Sequence, residues 1–237
     1  MLYVLMLLVA VIAYLLGSIS SSILISKKIA GVDIRTEGSG NAGTTNMLRM
    51  HGKKAAALTL LFDVLKGVVA VLIAMLVDWC ALRFVDGSSL TYFENAYLLG
   101  NLKYIAGFFA VLGHDFPIFF GFRGGKGIAT SLGVMLMFDW RIGLIVLVVS
   151  VLIMLISRYV SLGSVIGAIV YPCAVLAFMA GRGFFNATYV AAAVLLGVIA
   201  IIKHYKNIKR LLNGTENKLF AKKNEPVEVT AEIKDAK

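Results

Sequence analysis

AAALTLLFDVLKGVVAVLIAMLVD, residues 55–78, decides the fold class. Asp63, Lys66 and a closing Asp78 are its only charged residues. A bilayer core about 30 Å thick takes roughly 20 apolar residues per spanning helix. The run is continuous rather than alternating at period two, so it reads as a membrane helix and not a barrel strand. Asp63 and Lys66 stand one helical turn apart, at i and i+3. An isolated charge inside a span costs a few kcal/mol, and a pair offsets part of that. Two readings stay open for the pair: site residues facing the bundle interior, or a structural ion pair that fixes helix packing.

The rest of the chain agrees. Of 237 residues, 59% are hydrophobic and 15% charged, with a mean hydropathy of +0.88. Soluble domains are about half apolar and a quarter charged. Seven apolar segments can be drawn, at 2–25, 55–78, 96–113, 127–138, 142–157, 162–180 and 185–203. The expected fold is an all-α integral membrane bundle of about seven transmembrane helices with glycine-rich cytoplasmic loops. The N-terminal run lacks a basic n-region and an A-x-A site, and is read as a retained first span. Residues 1–218 form the membrane domain, and 219–237 are expected to be a polar, disordered cytoplasmic tail. The two cysteines, Cys80 and Cys173, show neither metal nor disulfide spacing.

The net charge is +10. With seven spans, residues 26–54, 114–126, 158–161 and 204–237 share one side of the membrane. That side carries 18 of the 23 Lys and Arg residues, counting Lys203 at its edge. The positive-inside rule makes it cytoplasmic, with the N-terminus outside and the C-terminus inside. Three polar, glycine-bearing stretches, 35–49, 114–130 and 204–218, then fall on one face and are free to converge.

The first is TEGSGNAGTTNMLR, residues 36–49. Gly38 to Gly43 spell G-x-G-x-x-G, but a dinucleotide fingerprint needs a βαβ unit around it. Here a membrane span precedes it, and Asp63, twenty residues beyond Gly43, lies inside the next apolar segment. The remaining reading is anion binding. Glycines let backbone N–H groups form a nest, Ser39, Asn41, Thr44, Thr45 and Asn46 add polar groups, and Arg35 and Arg49 flank the stretch with charge.

The second is GHDFPIFFGFRGGKGIAT, residues 113–130. Its GGKG resembles half of a Walker A motif, yet Phe120 occupies the first-glycine position and Gly127 replaces the Ser/Thr. An ordinary ATPase is excluded. Glycines and a lysine opening a helix still suit a phosphate, and HDFPIFF beside them suits an acyl chain. His114 reads equally well as a site residue or an interfacial histidine. The third is KHYKNIKRLLNGTENK, residues 203–218. If helical, His204, Asn207 and Ile208 share a face. Lys206, Lys209 and Arg210 fit a basic amphipathic helix on anionic lipid, a role that needs neither His204 nor Asn207.

Together the three stretches resemble the bacterial integral-membrane acyl-phosphate–glycerol-3-phosphate acyltransferases. Gly38 to Asn46 with Arg49 is similar to that family's GSGN-x-G-x-TN segment, Gly113 to Pro117 and Gly124 to Thr130 to its GH-x-FP and GGKG-x-AT, and His204 to Glu216 to H-x-x-NI-x-RL with G-x-E. Thr44 stands where alanine is frequent, and Ser20 where proline is. The resemblance covers residues 17–218 and implies acyl transfer from acyl phosphate to the sn-1 hydroxyl of glycerol 3-phosphate, giving 1-acyl-glycerol 3-phosphate and phosphate in the first step of phospholipid synthesis. It implies a multi-pass protein of the bacterial cytoplasmic (inner) membrane. No cofactor, metal or nucleic acid is expected, and a monomer is.

Acyl phosphate is a mixed anhydride, already activated, so no Ser-His-Asp triad is needed. The task is orientation of two phosphorylated molecules. The expected catalytic residues are Ser39, Arg49, Lys126, His204 and Asn207. Lys126 and the 124–127 glycines are assigned to acyl phosphate, Ser39 and Arg49 to phosphate contacts, and His204 and Asn207 to glycerol 3-phosphate. Substrate binding is expected at Gly38, Gly40, Asn41, Gly43, Thr45, Asn46, His114, Gly124, Gly125, Gly127, Thr130 and Glu216. The base is either His204 or the leaving phosphate. The rival function is a membrane transporter or channel for an organic phosphate.

Overall fold

The computed structural model describes residues 2–83 and 100–219. Among these residues the structure is helical throughout, without strands. The helices are α1 (Leu2–Gly17), α2 (Ser21–Ala30), α3 (Thr44–Leu82), α4 (Leu102–Asp115), α5 (Ile128–Phe138), α6 (Trp140–Ser157), α7 (Val160–Arg182), α8 (Ala187–Lys203) and α9 (Tyr205–Leu212), with short 3-10 turns at Ile34–Thr36 and Ile118–Phe120.

Four helical stretches are long and apolar enough to cross a membrane, and a fifth if α8 and α9, bent by 58°, count as one. The first of the four joins α1 and α2. At 1.5 Å per residue, α4 and α5 reach only about 21 and 16 Å, short of a bilayer core. Rows of exposed apolar side chains, among them Leu61, Leu65, Leu72 and Leu76 on α3 and Leu152 and Leu155 on α6, suit lipid contact rather than water.

The structure departs from the sequence reading in three places. The first predicted segment, 2–25, is broken at residues 18–20 between α1 and α2. Polar groups satisfy the break: the Ser18 hydroxyl donates to Tyr14 O at 2.8 Å, and the Lys66 ammonium donates to Ile19 O at 2.9 Å. Irregular backbone in a membrane protein is tolerated where protein covers it. Next, helix α3 begins at Thr44, so the latter part of the supposed loop 26–54 is helical up to and across a kink at Gly52 (φ 81°). Finally, the fourth segment, drawn at 127–138 as one of seven spans, is a helix where expected, but at 11 residues it is too short to cross a bilayer core. Residues 96–99 of the third segment and 220–237 of the tail lie outside the described residues.

Helix packing relies on small residues, as expected where lipid offers no hydrophobic drive between helices. Gly67 of α3 lies against Thr130 O of α5, and Gly133 of α5 lies against Val64 O of α3. Gly17 of α1 and Gly113 of α4 make the same reciprocal approach, to Ala110 O and Tyr14 O. A core of Val71, Tyr104, Val134, Phe138, Ile142, Tyr171, Val175 and Leu196 ties α3 through α8 together. The three polar stretches gather where α1, α4 and α8 end and where α3, α5 and α7 begin.

Candidate active site

The first stretch folds onto itself. Asp33 caps the 3-10 turn by accepting the Arg35 N–H at 3.0 Å and pairs with the Arg35 guanidinium, Nη2 to Oδ2, at 2.8 Å. That partner holds the Asp33 carboxyl below its usual range. Arg35 Nη1 then donates to Phe120 O at 2.6 Å and to Arg123 O at 3.0 Å. Arg35 is therefore spent as a latch between the first and second stretches, and its charge is not the open anion contact that sequence suggested. Asn46, 1% exposed, donates to Ile34 O and Glu37 O at 3.1 and 3.0 Å and accepts the Ser39 N–H at 3.0 Å. Its side chain staples the loop. Gly38 (φ 55°) and Gly40 (φ 70°) make the turns around it.

The second stretch docks on the end of α4. Gly124 N–H donates to Asp115 O at 3.3 Å and Gly125 N–H to His114 O at 3.2 Å. These bonds take up two of the N–H groups that the nest reading counted as donors. In the first stretch, likewise, Gly40 N–H goes to Glu37 O and Gly43 N–H to Asn41 O. Backbone N–H groups that face carbonyls in a tight loop bond there first. Two helices also begin here, α3 after Gly43 and α5 after Gly127, and a helix's first turn offers N–H groups that lack intrahelical acceptors. Each start is also the positive end of a helix dipole. The glycines serve closeness: a Cβ on Gly125 would run into the His114 ring and Ala42 O, and one on Gly124 into His114 O and Pro117. Thr130, fully buried, has a hydroxyl without a hydrogen-bond partner.

The third stretch supplies a polar chain. His204, 3% exposed, closes α8 with Nδ1 2.7 Å from Ala200 O. A carbonyl only accepts, so the neutral ring carries its proton on Nδ1 and keeps Nε2 as a lone pair. The Lys126 ammonium donates to Asn207 Oδ1. Asn207 Nδ2 donates to Glu216 Oε1 at 2.6 Å, which also accepts the Ser161 hydroxyl at 2.8 Å. Arg210 Nε meets Glu216 Oε2 at 2.6 Å. Burial would raise the Glu216 carboxyl, but the hydrogen bonds from Asn207, Arg210 and Ser161 outweigh it and hold it below its usual value. Both Glu216 oxygens are thus engaged by protein, and the residue orients Asn207 and Arg210. Lys126 is pushed down to about 8, by burial first, against the pull of Glu216 and with Arg210, Arg49 and Lys203 adding repulsion.

The three stretches are joined directly. Arg35 ties the first to the second, Lys126 ties the second to the third, and the Lys203 ammonium donates to Asp115 O at 3.0 Å. Ser39 and Arg49 are exposed and Thr45 half-buried beside this junction. A family model described as glycerol-3-phosphate acyltransferase matches residues 7–214.

The chain belongs to the glycerol-3-phosphate acyltransferase family.

It is accordingly an acyltransferase and an integral membrane protein. The glycerol-3-phosphate acyltransferase of Clostridioides difficile (strain 630) is 49% identical over 215 residues, covering 91% of this chain and 96% of its own. That of Shouchella clausii (strain KSM-K16) is 43% identical over 211 residues, 88% of this chain and 93% of its own. Among solved structures, PlsY (YgiH), an integral membrane glycerol 3-phosphate acyltransferase, is similar in two forms. The glycerol 3-phosphate form gives a TM-score of 0.72 at 36% identity over 90% of this chain and 95% of that one. The lysophosphatidic acid form gives 0.70 at 36% identity over 90% and 94%.

Sequence reasoning for this acyltransferase missed Ser161, which carries no signal until α7 places it against Glu216. It also left Lys203 at the edge of a segment, although its position before His204 on the third stretch was a usable hint. Asp63 and Lys66 were singled out as a pair; the structure keeps them paired at 3.0 Å and adds Ser21, His114 and Ile19 O around them.

Proposed function

We propose that this acyltransferase moves a fatty acyl group from acyl phosphate to the sn-1 hydroxyl of glycerol 3-phosphate, releasing 1-acyl-glycerol 3-phosphate and phosphate. The observation that carries the reading is the junction of Lys126 with Asn207. It brings a buried cation at the start of α5 to the Asn207–Glu216–Arg210 chain, beside His204. The relatives solved in glycerol 3-phosphate and lysophosphatidic acid forms support both the acceptor and the product class.

The carbonyl–oxygen bond of the mixed anhydride breaks, and the ester bond to the glycerol hydroxyl forms. Phosphate leaves with the bonding pair. The hydroxyl proton passes to that phosphate or to the His204 Nε2 lone pair. The chain's work is to hold two anions side by side, which electrostatics opposes without cations and aligned N–H groups. Lys126, Arg49 and the N-termini of α3 and α5 supply these, with Ser39 and Thr45 as hydroxyl partners. Phe116, Ile118, Phe119 and Phe122, exposed apolar residues beside the GGKG loop, give the acyl chain a route from the bilayer to the headgroup site. This reading puts the site on the cytoplasmic face of the bacterial inner membrane, the N-terminus outside, and residues 219–237 beyond the catalytic domain.

The decisive assay offers purified protein radiolabelled glycerol 3-phosphate with acyl phosphate, or with acyl-CoA, as donor. Labelled lysophosphatidate should form with acyl phosphate alone. Product from acyl-CoA at a comparable rate would overturn the donor assignment. In proteoliposomes, uptake of the label without acylation would favour a transporter instead.

A further inference from the structure

Asp63 and Lys66 lie in the apolar part of α3, and acyl transfer as described above uses neither. Asp63 is 1% exposed. Its Oδ1 accepts the Ser21 hydroxyl at 2.8 Å, sits 3.0 Å from the Lys66 ammonium and faces His114 Nδ1 at 3.5 Å. Lys66 in turn satisfies Ile19 O in the break between α1 and α2. The far side of the His114 ring, Nε2 and Cε1, together with Ala42 O, fills the space that a Cβ on Gly125 would need. Gly125 also donates its N–H to His114 O. The line of contacts therefore runs from Asp63 through the His114 ring to Gly125, whose next residue is Lys126.

A buried ion pair is weak evidence for stability, because well-packed apolar residues of similar volume commonly hold a helix as well. This pair reaches two irregular backbone points that flank the site, the α1–α2 break and the GGKG loop. We infer that Asp63, supported by Ser21 and Lys66, is a positioning residue that fixes the His114 ring and, through it, the Gly124–Gly127 loop carrying Lys126. The inference rests on the acyl-transfer reading for its kinetic consequence and on contacts alone for its structural one.

The test uses full-length Asp63→Asn, nearly isosteric, and Ser21→Ala, which deletes a single donor. Both are purified and compared with the parent chain for melting temperature, for kcat and for KM of each substrate. Hydrogen–deuterium exchange is followed across residues 121–127. Expected for Asp63→Asn is a rise of about tenfold or more in KM for one phosphorylated substrate, the other staying within about twofold. Ser21→Ala should move the same KM by about threefold. Exchange at 121–127 should quicken in both. Equal changes in both KM values, or a lower melting temperature with exchange at 121–127 unaltered, would make the pair purely structural and overturn the inference. Should Asp63→Asn not fold, Ser21→Ala carries the comparison. If the parent chain transfers no acyl group, the functional reading fails, while the exchange data still decide the positioning role.

Discussion

Lys126 carries its charge in unfavourable surroundings. Burial pulls its pKa down to about 8, and Arg210, Arg49 and Lys203 push in the same direction. In the proposed reaction the charged form is the one that meets a phosphate, so raising the pH through about 8 removes the working form. The kcat/KM of the phosphorylated substrates should therefore fall with unit slope above that pH. In Lys126→Arg the falling limb should move to much higher pH, because a guanidinium stays protonated; a limb that stays put would assign the titration to another group. Removing one preorganised charge at such a site costs about 10²–10³ in rate. Arg49→Ala and Lys126→Ala should each lose at least that much while eluting as folded protein from detergent. Full activity in either would refute its role.

Among the elements, glycine matters by letting backbones and rings approach. Gly125→Ala sets a methyl against His114 and Ala42 O. Overpacking of this kind costs about 1–3 kcal/mol, and here it falls on the loop that presents Lys126. The expected result is a severe loss of activity with modest thermal destabilisation. Gly133→Ala sets the same methyl against Val64 O, in the α3–α5 crossing. That change should lower the melting temperature first, with kcat of the surviving folded protein little altered. Comparing the two ratios of lost activity to lost stability checks whether the glycines divide in this way. The bend between α8 and α9 belongs to the same scale. It seats His204 at the corner and turns Asn207 toward Lys126 and Glu216.

For the whole molecule, the arrangement requires its three polar stretches to emerge together. Fusion reporters placed near residues 36, 122 and 213 should all report the cytoplasm; a mixture of sides would remove the shared site. Ending the chain after residue 219, whose N–H donates to Arg158 O at 2.7 Å, should leave acyl transfer intact, as the purified truncation can show. Much of this was legible beforehand. Continuous apolar runs announced a helical membrane protein, since a bilayer tolerates few alternatives. The loops bearing Ser39, Lys126 and His204 announced phosphate chemistry, because glycines, cations and helix starts cluster for few other reasons. Arg35, Asn46 and Glu216 were less legible. Each has the residue type of a ligand-binding group, and composition cannot say that its hydrogen-bonding capacity is already used on Asp33, on the loop backbone or on Asn207.

The sequence by itself determined the helical membrane class, the broad location of the spans and which three stretches carry polar chemistry. These follow from local hydropathy, charge and glycine content. Only the tertiary structure decided which side chains meet: that Arg35 latches two loops, that Lys126 joins Asn207, and that Asp63 reaches His114 across two helices. It also tied the N–H groups of Gly40, Gly43, Gly124 and Gly125 to carbonyls of the chain itself. The physical reason is that a hydrogen bond or ion pair depends on positions in space, and residues fifty or more apart share a contact only after the helices have packed.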